Sequence, residues 1–242
     1  MTKPLTGRVP PEAIRRTGLP RLSPDLLQRY GALSDLTSAV SDAMDNLGLF
    51  GAIPASTLAP TLANGRVVGQ AVTVRNVERP QSATAAAASR VGKMGEHEAY
   101  NQAEPGDVVV IEGLTGLSNM GGQSAAVAHR AGCVGAVIDG SFRDPDSSRE
   151  RHFPIWSRGV TPITGKWRLE TVEINGRVRI AGVSVDAGDL VAADEAGIVF
   201  VPFADAEAVL REAEKIDAGD NRQKSDIAAG IDLKTLAATK YK

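Results

Sequence analysis

The sequence has 242 residues, with 27 Lys and Arg against 29 Asp and Glu, a net charge of -2, 43% hydrophobic residues and one cysteine. A chain of this length can bury a core. The near-neutral charge argues against a nucleic-acid partner that needs a basic face. The lone Cys133 excludes a disulfide framework or a cysteine-based zinc cage. With no run near the ~20 apolar residues of a membrane span and no apolar secretory segment at the N-terminus, we expect a cytoplasmic protein with no membrane partner.

The N-terminal residues 1–32 are rich in proline and arginine. Such a segment cannot make its own core, so we expect an arm that lies on a larger body or on a neighbouring subunit. Residues 33–242 are expected to form a single domain that ends in helices. Within it, hydrophobic periodicity predicts a first helix over 37–48, a strand over 66–77, and helices over 82–91 and 96–102.

The segment from 105 to 146 predicts a strand–loop–helix–strand unit. Buried apolar runs at 108–112 and 134–139 predict two strands. A glycine-rich loop at 113–122 and a compact helix at 123–130 lie between them. The two strands should therefore be parallel and joined by a right-handed crossover.

The C-terminal third is predicted to be mostly strand, followed by helix. Short strands are expected over 177–185, 189–194 and 197–202, separated by turns that contain Gly and Asp. A charged helix is expected over 203–217, with a shorter helix from Ser225.

Candidate chemistry gathers at the carboxyl ends of the two parallel strands, where ligands bind in open α/β folds. A helix N-terminus presents free N–H groups to an anion, and Gly121 and Gly122 would let the anion approach the backbone. Arg143 could grip a carboxylate, and Asp144 could hold a hard cation such as Mg²⁺. Together these features suit a small 2-oxo acid chelated by a cation.

A purely structural interpretation stays open at this point. An Arg-Asp pair in a loop after a strand is usually a solvated turn or a local ion pair, and glycines are common in loops. Glu96, His97 and Glu98 could in principle form a metal cluster, but adjacent residues on a helix do not face one another. Residues 81–98 are expected to line the outer cleft and to influence substrate preference.

The chain resembles the RraA-like family. That family includes the regulator of ribonuclease activity A, the 4-hydroxy-4-methyl-2-oxoglutarate and 4-carboxy-4-hydroxy-2-oxoadipate aldolases, and proteins long labelled dimethylmenaquinone methyltransferase. The resemblance covers roughly residues 33–235 and is most specific over 120–144. The segments that carry it are SDAMDNLG (41–48), GQAVTVR (69–75), PGDVVVIEG (105–113), MGGQSAAVAHRAGCVGAVIDGSFRD (120–144), PIWSRGVTP (154–162) and AGDLVAADEAGIVFVP (187–202).

The resemblance implies an α/β fold, an α/β/β/α sandwich related to swivelling β/β/α domains, assembled as a homotrimer or as a hexamer of two trimers. The aldolases of the family are divalent-metal (class II) lyases that act on pyruvate adducts, and many also decarboxylate oxaloacetate. Their signature places an acidic residue or glycine twenty residues before Arg-Asp, and Gly122 precedes Arg143-Asp144 by that spacing.

The resemblance also assigns roles to the site residues. Arg143 would bind the pyruvyl carboxylate and Asp144 would hold Mg²⁺ or Mn²⁺, so these two are the catalytic candidates. The loop amides of Met120, Gly121, Gly122 and Gln123 would contact the oxo acid.

The chain departs from the family pattern in its acidic residues. Some family aldolases carry an acid at the position of Gly122 or of Ser147, and this chain has neither, although Asp146 is adjacent to the latter. Family aldolases also borrow an acidic residue from the C-terminal region of a neighbouring subunit. The candidates here are Glu212, Glu214 and Asp217.

We therefore expect a metal-dependent lyase that acts on a 2-oxo acid by retro-aldol cleavage, by decarboxylation, or by both. One alternative is a non-catalytic regulatory protein that binds a ribonuclease, but the regulators lack the aspartate after the arginine. A methyltransferase is the weaker alternative, because Glu112 to Gly116 with Asp139 only loosely mimics a nucleotide-binding loop.

Overall fold

The computed structural model describes residues 3–241. Its helices are α1 (Pro24–Ala32), α2 (Leu36–Asn46), α3 (Ala83–Ser89), α4 (Glu96–Gln102), α5 (Gly122–Arg130), α6 (Pro145–Glu150), α7 (Ala206–Ala228) and α8 (Leu233–Ala238), with short 3₁₀ turns at Pro11–Ala13 and Phe203–Asp205. Its strands are β1 (Ala52–Pro54), β2 (Ala59–Pro60), β3 (Val67–Glu78), β4 (Val108–Glu112), β5 (Gly135–Phe142), β6 (Ile155–Val160), β7 (Leu169–Ile174), β8 (Val178–Ile180), β9 (Val183–Val185), β10 (Leu190–Ala193) and β11 (Gly197–Val201).

The long strand β3 organises the main sheet. Its first half pairs antiparallel with β10, which continues to β11 and β1. Its second half pairs parallel with β4 and antiparallel with β7. Beyond β4 the parallel order runs to β5 and β6, and β2 closes the edge. The predicted strand–loop–helix–strand unit is thus confirmed, with β4 and β5 parallel and adjacent.

Alternating side chains on the strands divide the interior into three layers. On β4, Val109 and Ile111 face the cluster shared with α4 and α5, whereas Val108 and Val110 face the cluster between the two halves of the sheet. On the far side, β10 and β11 bury one face against α1, α2 and α7. Successive side chains of a strand point to opposite faces of the sheet, so a strand that is buried on both faces needs a packed layer on each side. The fold is therefore the expected α/β type, an α/β/β/α sandwich.

The N-terminal segment packs along the body of its own chain. Val9 and Leu19 are buried in the cluster that contains α4 and α5. Gln70 on β3 accepts the amide of Leu22 at 3.0 Å and donates to the carbonyl of Pro20 at 3.0 Å. Helix α1 then buries Tyr30 against α7, where its hydroxyl donates to the carbonyl of Ala206 at 2.7 Å.

Two C-terminal predictions are corrected. The strand expected over 177–185 is a hairpin, because Ala181 and Gly182 both take positive φ and reverse the chain between β8 and β9. The helix expected over 203–217 is α7, which continues past Ser225 to Ala228, and the next helix begins at Leu233. Within residues 3–241, no helix has the length and apolar character needed to cross a membrane.

Candidate active site

The carboxyl ends of β4 and β5 bring two segments to one edge of the sheet. The loop between β4 and α5 follows Glu112, and Arg143 follows β5. Ser118 in the loop lies beside Ser141 of β5 and also beside Thr164, which precedes β7. The loop is thus held between two strand ends and opens onto the start of α5.

Asn119 holds this loop in shape. Its side chain is fully buried, and its Nδ2 donates to the carbonyls of Leu114 and Ser141 at 2.9 and 3.1 Å. A Cβ atom at Gly113 or Gly140 would lie 2.3 or 2.6 Å from the Asn119 amide, so both positions require glycine. Asn119 was not among the residues predicted from the sequence, although a buried amide within a glycine-rich loop is typical of a loop scaffold.

Arg143 and Asp144 are tied to the start of α5 by backbone and side-chain bonds. The amide of Arg143 donates to the carbonyl of Met120 at 3.0 Å. The amide of Gly122 donates to Oδ2 of Asp144 at 2.9 Å, and Nε of Arg143 lies 3.4 Å from the same oxygen. Asp144 has φ 59°, a left-handed conformation that Asp tolerates better than most residues. The pair therefore stands at the N-terminus of the helix, with half of each side chain exposed.

The two glycines at the start of α5 leave room for this pair. A Cβ atom at Gly121 would lie 3.0 Å from Nε of Arg143 and 3.3 Å from Oδ2 of Asp144. A Cβ atom at Gly122 would lie 2.6 Å from Oγ of Ser147 and 2.7 Å from its Cβ. Any larger residue at either position would displace the groups that the helix end now contacts.

The structure places the predicted binding residues in different environments. Met120 is buried in the core, and its carbonyl accepts hydrogen bonds from the Arg143 amide at 3.0 Å and the Ser118 hydroxyl at 2.9 Å. The amide of Gly122 is already bonded to Asp144. Gly121 and Gln123 line an open cavity beside Arg143. An anion at the helix end would thus meet Gly121, Gln123 and the Arg143 guanidinium.

That cavity has a volume of about 290 Å³ and lies between α4, the start of α5 and the loop before β7. A larger cavity of about 470 Å³ lies against residues 62–68, away from Arg143 and Asp144. The smaller cavity carries several cationic groups and one carboxylate. The charged and polar residues that line it include Arg8, Glu96, His97, Gln123, Arg143 and Lys166.

Of the residues 81–98 expected to line the outer cleft, Gly92, Met94, Glu96 and His97 contribute to the wall of this cavity. Glu96, which the sequence placed only in a candidate metal cluster with His97 and Glu98, is the carboxylate of this cavity. It is 5% exposed, and its Oε1 accepts a hydrogen bond from Ser124 at 3.1 Å.

The buried Tyr100 lies behind Ser124, with 2.8 Å between their hydroxyl oxygens. Its burial, aided by the charge of Glu96, raises the pKa of Tyr100 well above its usual value. The phenol therefore stays protonated at neutral pH and serves as a neutral hydrogen-bonding group for Ser124.

The donor set fits a hard cation held by few protein ligands. Asp144 contacts Gly122 and Arg143 through Oδ2, and neither contact uses Oδ1. Among residues 3–241 there is no group of three His, Cys, Asp or Glu side chains placed to hold a metal ion. Mg²⁺ commonly binds one or two carboxylates and completes its shell with water and substrate oxygens. The site suits that mode and does not suit a closed protein cage.

Other acidic candidates have partners within the chain. Asp146 is exposed and pairs with Arg149 at 2.9 Å. Glu212 pairs with Lys215 at 2.9 Å, and Glu214 forms a two-pronged pair with Arg29 at 2.7 and 2.8 Å. Asp217 accepts the amide of Ser34 at 2.8 Å. All three C-terminal candidates lie on α7, which packs against α2 on the far side of the sandwich.

The residues that mimic a nucleotide-binding loop are also occupied. Glu112 accepts the amide of Arg179 at 2.7 Å and pairs with Arg75 at 3.2 Å. Asp139 pairs with Arg158 and accepts the amide of Ala181 at 2.6 Å. Both carboxylates thus anchor the β8–β9 hairpin instead of facing an open cleft.

Comparisons with known proteins identify relatives of this chain. A family model described as "RraA-like: Aldolase/RraA" matches residues 37–200. A Halalkalibacterium halodurans protein named "Putative 4-hydroxy-4-methyl-2-oxoglutarate aldolase" is 30% identical over 81% of this chain and 86% of its own length.

Two solved structures have a similar fold. An uncharacterized protein from Pseudomonas syringae pv. tomato is 26% identical, with a TM-score of 0.76, over 90% of this chain and 99% of the other. Streptomyces coelicolor RraAS2, described as an unusual member of the RNase ES inhibitor RraA protein family, is 24% identical, with a TM-score of 0.67, over 88% of this chain and 99% of the other.

Proposed function

Because the chain belongs to the RraA-like family, we propose that it is a divalent-metal-dependent lyase that acts on 2-oxo acids. It releases pyruvate by retro-aldol cleavage, decarboxylates oxaloacetate, or does both. The observation that carries the proposal is the Arg143-Asp144 pair at the amide end of α5, with Asp144 bonded to Gly122. The similarity to a named aldolase over most of both chains supports the same reading.

Two side chains have separate tasks in this proposal. Asp144 would hold Mg²⁺ or Mn²⁺ through its carboxylate, and such an ion, when bound, polarises the keto group as a Lewis acid. Arg143 binds the carboxylate of the oxo acid, because its planar guanidinium offers parallel N–H donors that match a carboxylate.

The start of α5 stabilises the charge that develops on the substrate as the C3–C4 bond breaks. The amides at a helix N-terminus carry a partial positive charge, and Gly121 and Gln123 line the cavity there. Groups fixed before the reaction need not reorganise during it, and this is the source of their effect on rate.

We also propose that the chain assembles as a homotrimer or a hexamer, in keeping with the family resemblance. Large apolar side chains are exposed on the single chain, with Phe50 at 89% and Val160 at 58%. Contiguous exposed apolar surface marks protein contact sites, so we expect subunit contacts to cover these two side chains. Light scattering on the purified protein would measure the assembly, and a monomer would contradict this part of the proposal.

The direct test uses purified protein freed of metal with a chelator. Pyruvate release is followed with oxaloacetate and with 4-hydroxy-4-methyl-2-oxoglutarate, before and after Mg²⁺ or Mn²⁺ is added. We expect activity that depends on the added ion. An inactive protein that instead captures an endoribonuclease without added metal would support the regulatory alternative. Binding of S-adenosylmethionine in a calorimeter would support the methyltransferase alternative, which the occupied Glu112 and Asp139 disfavour.

A further inference from the structure

One carboxylate in the cavity beside Arg143 has an oxygen that nothing in the chain satisfies. Glu96 is 5% exposed and lines the cavity, and its Oε1 accepts from Ser124. Its Oε2 is buried and has no hydrogen-bond partner among residues 3–241. A buried carboxylate oxygen without a donor is costly. This position therefore favours a ligand that brings its own donor.

Glu96 and Asp144 are fixed to the same turn of helix. Ser124, which holds Glu96, is two residues beyond Gly122, which holds Asp144. Successive residues of a helix rise only about 1.5 Å each. The unsatisfied oxygen and the Arg143-Asp144 pair therefore belong to one site, joined by the first turn of α5.

The start of α5 leaves no space for an acid of its own. A Cβ atom at Gly122 would already meet Ser147 at 2.6 Å, so the helix end is built for glycine. Glu96, on α4, is the carboxylate that lines the cavity next to this helix end.

We propose that Glu96 is the general base in retro-aldol cleavage of a 2-oxo acid that carries a hydroxyl on C4. This inference rests on the proposed lyase function. Oε2 accepts the proton of the C4 hydroxyl, the C3–C4 bond breaks, and C4 becomes a carbonyl carbon. The electron pair of the broken bond passes to C3, and the proton held by Glu96 returns there to form the methyl group of pyruvate. No further reactant is consumed.

Decarboxylation of oxaloacetate separates this role from the rest of the site, because oxaloacetate has no hydroxyl to deprotonate. The experiment compares kcat for cleavage of 4-hydroxy-4-methyl-2-oxoglutarate with kcat for decarboxylation of oxaloacetate in wild type and Glu96→Gln. We expect the ratio of the two to fall about 10²- to 10⁴-fold, the usual contribution of a general base. Pyruvate binding, measured by calorimetry, should persist and report an intact pocket.

Glu98→Gln is the matched control. Glu98 lies on the same helix and is fully buried, but its oxygens accept from Thr6, Asn101 and Gln102. Its replacement should leave the ratio near that of wild type.

Three outcomes would overturn the role of Glu96. They are an unchanged ratio in Glu96→Gln, whether or not both rates fall together, an equal fall of the ratio in Glu98→Gln, and a wild-type protein that decarboxylates oxaloacetate but cleaves no 4-hydroxy-2-oxo acid. All three leave metal-dependent decarboxylation of a 2-oxo acid standing. A wild-type protein that catalyses neither reaction overturns both this inference and the lyase function beneath it.

Discussion

The amide of Gly122 donates a hydrogen bond to Oδ2 of Asp144 at 2.9 Å, which joins the first turn of α5 to the residues that follow β5. The two residues are far apart in the chain and meet because β4 and β5 are adjacent and parallel. The same bond determines which carboxylate oxygen of Asp144 faces the helix.

Asp144→Asn is the sharpest test of the proposed metal carboxylate. Asn tolerates the left-handed conformation at φ 59° and can still accept the Gly122 amide, but it carries no charge. We expect metal-dependent decarboxylation of oxaloacetate to be lost while the melting temperature stays close to wild type. Asp144→Ala should lose the same activity and also lose stability, by about 1–2 kcal/mol, because alanine is strained at this φ. Full activity in either variant would refute the role.

Arg143→Lys tests recognition of the substrate carboxylate. An ammonium cannot reproduce the planar fork of a guanidinium. We expect KM for oxaloacetate to rise roughly ten- to hundredfold, the equivalent of about 1.5–3 kcal/mol for hydrogen bonds to a charged group. Steady-state kinetics at saturating Mg²⁺ would measure it, and an unchanged KM would contradict the assignment.

Gly122→Ala tests the close packing at the start of α5. The added Cβ would lie 2.6 and 2.7 Å from Oγ and Cβ of Ser147. We expect the free energy of unfolding in urea to fall by about 1–3 kcal/mol, as is typical of overpacking. The double variant with Ser147→Gly removes both clashing atoms and should recover part of the loss. No loss in the single variant would show that the helix end can move.

The stability contributed by Glu98 should depend on pH. Burial acts to raise the pKa of Glu98, but hydrogen bonds from Thr6, Asn101 and Gln102 outweigh it and hold the pKa below its usual value. A carboxyl whose pKa is lower in the folded state stabilises the fold above its unfolded pKa, and the effect is lost as pH falls through the folded value. Glu98→Gln should thus cost roughly 1 kcal/mol at neutral pH and progressively less below about pH 4. Urea unfolding across this range gives the measurement, and a constant cost would argue against the ionic contribution.

Cys133 should be inert in the native protein. Burial raises the pKa of its thiol to about 12, and the side chain is 2% exposed in the core. Since the thiolate is the reactive form, we expect iodoacetamide at pH 8 to label the protein only when denaturant is present. Rapid labelling of the folded protein would indicate an opening of the layer between the sheet and α5.

Local patterns predicted the elements around the site well. The runs at 108–112 and 134–139 are apolar on both faces, which is typical of central parallel strands, and they became β4 and β5. The break expected after 217 was wrong because Gly219 is buried within α7, where packing outweighs its low helix propensity. The β8–β9 hairpin was missed because Ala181 holds a positive φ without the usual Asn or Gly signal.

The surroundings of the site were less accessible from sequence. Arg143 and Asp144 were predicted to lie at the sheet edge only from the order of the two parallel strands and the helix between them. Glu96 was considered only with its neighbours His97 and Glu98, because its relation to Ser124 depends on how α4 packs against α5. The cavity wall also draws Arg8 from the N-terminal segment and Lys166 from the loop before β7. No local pattern indicates that such distant segments converge.

The continuous strand β3 links the two halves of the sandwich, since it is hydrogen-bonded to β10 at one end and to β4 and β7 at the other. Gln70, near its middle, also holds the chain at Pro20 and Leu22. We therefore expect the two halves to unfold together. Heat or denaturant should unfold the pocket and the distant α2–α7 layer in one cooperative transition. A destabilising substitution in the α2–α7 layer should therefore also lower the activity of the site.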